Sequence, residues 1–160
     1  MIFVTLGTQK QQFTRILDYI EKSNLKDEII VQNGNTKYES KKMKLIGFIS
    51  YDEIREYIKK ADVIISHGGL SIIDAIKLNK KVICCPRDSK YKEHINNHQF
   101  EMNEFLRDRK YILMCTNFEE FESCLKKIKT FTPKTIKDRS DTYLEKIKEI
   151  IDASLKKDSL

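Results

Sequence analysis

The sequence has no long hydrophobic run. Its apolar stretches are strand-sized, as in 62–66, and none approaches the ~20 apolar residues that a membrane-spanning helix requires. No basic region precedes the apolar residues at the N-terminus, so we expect no signal peptide. These absences predict a protein that stays in the cytoplasm, where it is made.

Several short motifs are also missing. The chain has no G-x-x-x-x-G-K-[ST] motif, which excludes a P-loop nucleoside triphosphatase. It has no G-x-G-x-x-G after the first strand, which argues against a dinucleotide-dependent oxidoreductase. The four cysteines show no C-x-x-C spacing, and no Cys or His pair is spaced like metal ligands. We therefore expect no metal site, and we interpret the thiols as buried and reduced.

Basic residues are in excess, most of all toward the C-terminal end. The formal net charge is +6, and residues 126–160 hold ten Lys or Arg against six Asp or Glu. Such a segment is either a solvated helix face or a surface for anionic lipid. No aromatic residues are interleaved with an arginine cluster, so nucleic acid is not predicted as a partner.

The hydrophobic pattern alternates between short β-branched runs and amphipathic stretches. The predicted strands are 2–6, 28–32, 44–48, 62–66, 81–85 and 111–115. The predicted helices are 13–22, 51–60, 70–79, 95–107 and 118–129. Ser50 or Asp52 is expected to cap the second helix and Asn117 the fifth. This alternation predicts an α/β fold, a Rossmann-like parallel sheet with helices on both faces.

The length of the chain is that of one ordinary domain. We predict that residues 1–130 form the α/β domain and that residues 131–160 are a basic helical extension of it. A break at Thr132-Pro133 precedes a predicted final helix from about 137 to 155. The apolar stripe of that helix favours either packing on the domain or docking on a partner.

Polar and glycine residues follow the predicted strands at one edge of the sheet. In an open parallel sheet, ligands bind at the carboxyl ends of the strands. The residues concerned are Gly7, Thr8 and Gln9 after the first strand, Gln32, Asn33 and Gly34 after the second, Ser66, His67, Gly68 and Gly69 after the fourth, and Pro86 and Arg87 after the fifth. Their convergence predicts a ligand site at this edge.

The strongest single element is the glycine turn at 66–69, which opens into a helix. A helix N-terminus with free N–H groups suits a diphosphate, and glycines let the backbone approach it closely. His67 and Ser71 would donate hydrogen bonds to phosphate, and Asp74 would accept from ribose hydroxyls. The alternative is that the glycines only turn the chain and that His67 is a structural histidine.

A polar loop follows the fifth strand and leads into a helix, over residues 86–101. It is dense in side chains that donate and accept hydrogen bonds, which suits the recognition of sugar hydroxyls. The alternative is a solvated loop in which Asn96 or Asn97 caps the helix.

At these two segments the chain resembles a known family. The motifs that carry the resemblance are Ser66-His67-Gly68-Gly69, Pro86-Arg87, Glu93-His94 and His98-Gln99, with 3–9, Phe13 and 31–36 in support. Together they resemble the C-terminal domain of glycosyltransferase family 28. The resemblance is to its short, stand-alone members, which serve as the soluble subunit of split UDP-sugar transferases in the dolichol pathway and in bacterial capsule or exopolysaccharide synthesis.

The resemblance implies a fold and an activity. The domain would be the C-terminal half of a GT-B glycosyltransferase, which binds the UDP-sugar donor. A separate, membrane-associated subunit would bind the lipid-linked saccharide acceptor and hold this chain at the cytoplasmic face of the membrane. Transfer of a hexose or N-acetylhexosamine would invert the anomeric carbon and need neither a cofactor nor an obligatory metal.

The resemblance also assigns roles to individual residues. Gly68 and Gly69 would hold the diphosphate, Asp74 would approach the ribose, and Gly7 and Thr8 would line the cleft between the halves. His67 would act in catalysis by stabilising the departing UDP. Side chains facing the donor sugar would come from the loop after the fifth strand and the helix that follows it: Arg87, His98, Gln99 and Glu101.

Three departures from the family pattern bear on these assignments. The turn before Ser71 is one residue shorter than usual, Asp74 stands where many relatives carry Glu, and Lys92 replaces a common Gly. They keep open a second function, a non-catalytic accessory subunit that activates a partner glycosyltransferase. A generic nucleotide-binding module unrelated to sugars is a third.

Overall fold

The structure, a computed structural model, describes residues 1–135, 148, 149, 152 and 153. Its strands are β1 Ile2–Thr5, β2 Ile29–Gln32, β3 Lys44–Leu45, β4 Val63–Ser66, β5 Lys81–Cys84 and β6 Leu113–Met114. Its helices are α1 Thr14–Lys22, α2 Tyr51–Lys60, α3 Leu70–Lys77, α4 His98–Asp108 and α5 Phe118–Lys127, with a short 3-10 turn at Ser89–Tyr91.

The strands form one parallel sheet in the order β3-β2-β1-β4-β5-β6. The first strand lies at the centre, pairing with β2 on one side and with β4 on the other. The chain runs from β1 through β2 to β3 at one edge of the sheet. It then returns to the other side of β1, where β4, β5 and β6 follow in order. This confirms the predicted Rossmann-like α/β fold, and it creates a topological switch point between β1 and β4.

A hydrophobic core covers each face of the sheet. On one face α1 and α5 contribute Ile16, Leu17, Ile20 and Phe121. On the other face α2, α3 and α4 contribute Ile58, Ile72, Ile76 and Leu106. The adjacent residues Cys84 and Cys85 belong to opposite cores, as the alternation of side chains along a strand requires.

The two edge strands are shorter than predicted. We expected strands at 44–48 and 111–115, but β3 and β6 each pair over two residues. Gly47 adopts a left-handed backbone (φ 70) and gives its N–H to the Asn33 side chain, which ends the run after β3. An edge strand has a neighbour on one side only, so such a local turn is enough to end it.

The helix starts reflect local capping. Ser50 accepts a hydrogen bond from the Glu53 N–H while Glu53 accepts from the Ser50 N–H, a complete capping box that begins α2 at Tyr51. Asn117 caps α5, as predicted. The fourth helix begins at His98 and not at residue 95, because the ring of His94 accepts the Asn96 N–H and holds a turn there.

The predicted final helix at 137–155 lies outside the described residues except for positions 148, 149, 152 and 153, which are helical. Among the helices that the structure describes, none combines the length and the apolar character needed to cross a bilayer.

Candidate functional site

The candidate site lies where the loops after β1 and β4 diverge. These strands are neighbours, with Thr5 paired to Ser66 at their carboxyl ends. From there one loop runs toward α1 and the other turns through Gly68 and Gly69 into α3. A crevice at such a switch point is the usual ligand site of an open parallel sheet. The fold therefore brings the two predicted glycine loops together.

The imidazole of His67 packs between these loops. Its Nδ1 lies 3.3 Å from the Thr5 carbonyl oxygen, and the residue is only 6% exposed. A Cβ on Gly7 would lie 2.7 Å from the ring Cε1, and a Cβ on Gly69 would lie 2.8 Å from Nε2. Both glycines therefore make room for His67. The sequence predicted that the glycine at position 69 lets the backbone approach a phosphate. In the structure the backbone of Gly69 instead approaches the side chain of His67.

The environment of His67 fixes its protonation. Burial, followed by the positive charge of Arg87, lowers the pKa of His67 to about 3, so the ring is neutral at pH 7. A carbonyl oxygen only accepts, so Nδ1 carries the proton and Nε2 holds a lone pair. Donation from Nε2 to a phosphate, the role predicted from the sequence, would need a second proton on the ring.

The N-terminus of α3 offers donors to an anion. Gly69 occupies the N-cap and supplies no side chain, so no side-chain cap bonds the first N–H groups of the helix. Ser71 lies in this first turn, with its Oγ 3.3 Å from that of Ser66. Ser66 Oγ also accepts the Gly68 N–H at 3.3 Å. These contacts of Ser66 fix the backbone of the turn, while the N-terminus of α3 keeps the positive end of the helix dipole.

A buried amide of α4, that of Asn103, lies beside this turn, and Gln99 lies one helical turn before it. Asn103 is fully buried, and a Cβ on Gly68 would lie 2.2 Å from its Nδ2. Neither amide atom of Asn103 has a hydrogen-bond partner among the described residues, and Gln99 Oε1 is also buried without one. Gln99 and Asn103 are four residues apart, so they share one face of the helix. A buried amide without a partner calls for a ligand or an ordered water to satisfy it.

Asp74 lies one turn further along α3, and its carboxylate accepts a hydrogen bond from the Tyr51 hydroxyl. Burial and this bond raise the pKa of Tyr51 to about 12, so the phenol remains a donor. Phe48 precedes Tyr51 on the same segment and is 58% exposed. The segment after β3 therefore brings aromatic side chains to the carboxyl edge of the sheet.

Gln32, at the end of β2, braces the loop after β1. Its Oε1 accepts from the Thr5 hydroxyl at 2.8 Å and from the Gly7 N–H at 3.2 Å, while its Nε2 donates to the Gly7 carbonyl at 3.2 Å. Gly34 packs against the same peptide, since a Cβ there would lie 2.6 Å from the Gly7 oxygen. These contacts hold Gly7 against His67.

Two arginines hold the loop after β5. Arg15 of α1 forms a buried ion pair with Glu93 at 2.7 Å and also donates to the Pro86 and Thr116 carbonyls. Arg87 is 1% exposed and donates to the carbonyls of three residues at 2.8–3.0 Å: Leu6, Gln11 and Glu93. The sugar contact predicted for Arg87 does not fit this geometry, because the guanidinium points inward and supports the loops from below.

The other predicted residues belong to the loop after β1 and to the first turn of α4. Thr8 is exposed, and its carbonyl accepts from the Asn35 side chain at 3.1 Å. Glu101 is exposed on the first turn of α4. His98 begins that helix, and its side chain lies outside what the structure describes. Lys92 has a left-handed backbone (φ 58), which is a conformation that glycine adopts more easily.

A pocket of about 510 Å³ lies at the opposite edge of the sheet, where the strands begin. Two of its lysines donate hydrogen bonds to backbone carbonyls of the protein. Lys80 Nζ donates to the carbonyls of Lys59 and Ala61, and Lys81 Nζ donates to those of Ile128 and Lys129. Its position away from the carboxyl ends makes it the weaker candidate. Within the described residues no group of three or more His, Cys, Asp or Glu could hold a metal ion.

The sequence did not point to Tyr51, Asn103 or Arg15. The spacing of Gln99, Asn103 and Leu106 on one helix face was the available signal, because it places two amides beside a core leucine. No comparable signal marks Arg15, whose partners lie on two distant segments, the loop after β5 and Thr116.

Comparison with known proteins shows the family of the chain. The family model for the glycosyltransferase family 28 C-terminal domain matches residues 1–153. The chain belongs to this family. Among curated proteins it is 28% identical over 115 residues to the UDP-N-acetylglucosamine transferase subunit ALG13 of Saccharomyces cerevisiae, covering 71% of this chain and 52% of that protein. The chain thus spans about half the length of that relative.

Solved structures show the same fold. The solution structure of ALG13 has a TM-score of 0.60 at 22% identity, covering 91% of this chain and 93% of that chain. MurG of Acinetobacter baumannii has a TM-score of 0.55 at 14% identity, covering 79% of this chain and 40% of that chain. The UDP-GlcNAc 2-epimerase of Methanocaldococcus jannaschii has a TM-score of 0.57 at 20% identity, covering 78% and 37%. At these identities the likeness concerns the fold alone.

The buried neutral state of His67 predicts a pH-dependent stability. The pKa of His67 is about 3 in the folded chain and ~6.5 when unfolded, so the unfolded state binds more protons between these values. The contribution of neutral His67 to the free energy of unfolding is complete above ~pH 6.5. It is lost as the pH falls toward 3, by about 1.4 kcal/mol per pH unit at most. In urea titrations from pH 7 to 4.5, His67→Asn should lose less stability than the wild type. Equal losses would contradict a buried neutral His67.

The contact between His67 and Gly69 predicts a coupled pair of substitutions. Gly69→Ala should lower the free energy of unfolding by about 1–3 kcal/mol, because the new Cβ displaces the imidazole. In a His67→Ala background the same change should have a much smaller effect. Gly47→Ala is the control, because a Cβ there has no atom within 4 Å, so its effect should be equal in both backgrounds. Additive effects of Gly69→Ala and His67→Ala would contradict the packing role.

Proposed function

We propose that this chain is the donor-binding, catalytic subunit of a two-chain inverting glycosyltransferase. It would bind a UDP-sugar, with UDP-N-acetylglucosamine as the first candidate because the yeast relative is named a UDP-N-acetylglucosamine transferase subunit. The hexose or N-acetylhexosamine would pass to a lipid-linked saccharide in capsule, exopolysaccharide or glycolipid synthesis. Membership of the family and the geometry at the switch point support this proposal.

The observation that carries the proposal is the unpaired amide of Asn103 beside the glycine turn, together with the unpaired Oε1 of Gln99 one helical turn away. Gln99 Oε1 and both amide atoms of Asn103 are buried without partners, which costs about 1–3 kcal/mol per group in a ligand-free chain. A sugar has hydroxyls that donate and accept, so it can satisfy both amides. Asn103 contacts Gly68, so the sugar would follow directly from a diphosphate held at the α3 N-terminus.

This chain's residues would act on the leaving group. The free N–H groups at the start of α3 face the position proposed for the diphosphate and would stabilise the charge that develops on departing UDP. His67, whose ring is neutral at pH 7, would support this turn by packing against Gly69 and would itself carry no charge. A pKa near 3 makes His67 a weak general base at neutral pH, so we place the base for the acceptor hydroxyl on the partner subunit. No cofactor or obligatory metal enters this scheme.

The proposed partner is a membrane-associated, acceptor-binding subunit. Residues 126–160 carry a net charge of +4, which suits docking beside an anionic membrane leaflet. The chain would then work in the cytoplasm, at the membrane surface. The second candidate is an accessory subunit that activates a partner transferase. Lys92 favours it, because it occupies a left-handed position on the loop predicted to face the sugar.

Replacement of Asn103 by leucine tests the donor site. Leucine is close to asparagine in shape and removes both unpaired amide atoms, so Asn103→Leu should keep or raise the unfolding temperature of the free chain. The same variant should bind UDP-N-acetylglucosamine about tenfold more weakly or worse, with a much smaller change for UDP. Calorimetric titration with UDP, UDP-N-acetylglucosamine, UDP-glucose and UDP-galactose measures both effects.

Glu104→Gln is the control, since Glu104 is exposed on the same helix and should leave every affinity unchanged. A wild-type chain without affinity for any UDP ligand would contradict donor binding. If it nevertheless raised the activity of a partner transferase, the accessory function would replace the catalytic one.

A further inference from the structure

Arg87 carries a buried positive charge that the function proposed above does not use. The residue is 1% exposed, and the Phe13 ring covers its guanidinium with a centroid distance of 4.8 Å, so little water reaches the charge. Burial lowers the pKa of Arg87 to about 10, which leaves the guanidinium charged at pH 7. A charge in such surroundings lowers the stability of the fold unless an opposite charge lies near it.

The hydrogen bonds of Arg87 all go to neutral groups. Its Nη1 donates to the carbonyls of Gln11 and Glu93, and its Nη2 donates to the carbonyl of Leu6, at distances of 2.8–3.0 Å. Its Nε is buried without a partner among the described residues. None of the ion pairs in the described part of the chain involves Arg87. The guanidinium is therefore held by carbonyl dipoles and not by a carboxylate.

The acids of the loop after β5 are matched by other basic residues. Glu93 is the acid whose charge acts on Arg87, but its two carboxylate oxygens accept hydrogen bonds from Arg15 at 2.8 and 2.7 Å. The carboxylate of Asp88 lies 3.5 Å from the ammonium group of Lys90. Each acid thus has its own cation, and the charge of Arg87 is left over. The loop holds one buried positive charge in excess.

This excess charge lies next to the candidate site. Leu6, whose carbonyl accepts from Arg87, is followed directly by Gly7, which packs against the imidazole of His67. The same ring contacts Gly69, the N-cap of α3. After burial, the positive charge of Arg87 is the main cause of the lowered pKa of His67, so its field reaches this ring. An anion at the N-terminus of α3 would lie in the same field.

We propose that Arg87 is a buried counter-charge for an anion bound at the α3 N-terminus, which it attracts through the loop after β1 without touching it. A helix N-terminus supplies roughly half an elementary charge, whereas a nucleoside diphosphate carries several negative charges. Arg87 adds a full charge, and its burial limits the screening by salt and water. This inference rests on the proposed function, because it requires a diphosphate at that position.

Two substitutions separate the charge of Arg87 from its hydrogen bonds. Arg87→Met removes both, whereas Arg87→Lys keeps the charge and loses the planar fork that reaches three carbonyls. In calorimetric titrations of the full chain with UDP at pH 6.5, Arg87→Met should bind about tenfold more weakly than the wild type. That is the size of effect expected for unit charges roughly 10 Å apart at an effective dielectric constant of about 20.

The lysine variant should stay within about threefold of the wild-type affinity, although it loses stability as the methionine variant does. A methionine variant with wild-type affinity for UDP would overturn the proposal. So would a lysine variant that binds UDP as weakly at pH 6.5 as the methionine variant, because the lost hydrogen bonds and not the lost charge would then account for the effect.

Lys42→Met is the matched control. The Lys42 ammonium group donates to the carbonyls of Ile20 at 2.7 Å and Ser23 at 2.5 Å, so this change also removes a positive charge that is bound to backbone carbonyls. These carbonyls lie at the C-terminal end of α1, away from the switch point. Lys42→Met should lower the unfolding temperature and leave the affinity for UDP unchanged.

The lysine variant decides the question alone if Arg87→Met does not fold. A buried lysine loses its proton at a lower pH than an arginine. Any deficit in UDP affinity relative to the wild type should therefore be smallest at pH 6.5 and grow as the pH rises toward 9. A deficit of about tenfold that is equal at every pH would contradict the proposal.

The two proposals fail in different ways. A wild-type chain that binds UDP no more tightly than Arg87→Met does would overturn the counter-charge and leave the donor site intact. A wild-type chain without affinity for UDP would overturn the proposed donor site, and the counter-charge with it.

Discussion

The candidate site depends on one packed side chain, the imidazole of His67. Its Nδ1 is bound to the Thr5 carbonyl, and its ring separates the loops that follow the two central strands of the sheet. Positions 7 and 69 require glycine, because a Cβ on either residue would collide with that ring. The ring of His67 therefore sets how closely the two loops can approach each other.

The polar groups around this contact fall into two classes. Arg15, Glu93 and Gln32 have their hydrogen bonds satisfied within the protein, so they fix the backbone of the loops. Gln99 and Asn103 contain buried amide atoms without partners among the described residues. A fold retains unpaired buried groups at a net loss of stability, and sites of function are where such losses are found. The first class therefore supports the loops of the site, and the second class supplies the proposed ligand contacts.

The sequence was sufficient for the central elements of the fold and insufficient for side-chain directions. Strands β1, β2, β4 and β5 follow their β-branched runs closely because each is buried, while β3 and β6 end early at local turns. The strand-end rule placed Gly7, His67 and Gly69 at one edge, and they do meet. Arg87 also follows a strand, but its guanidinium turns inward to three carbonyls, which residue type and position do not reveal. Tyr51 and Asp74 meet only because α2 and α3 share a core.

We infer that the switch point between β1 and β4 binds a nucleoside diphosphate. An NMR titration of the nitrogen-15-labelled chain with UDP tests it most directly, because each backbone amide reports its own surroundings. If the diphosphate binds there, the largest shifts will occur at the amides of Gly68, Gly69 and Ser71, at the N-terminus of α3. Shifts confined to the pocket at the opposite edge, around Lys80, Lys81 and Lys129, would contradict it.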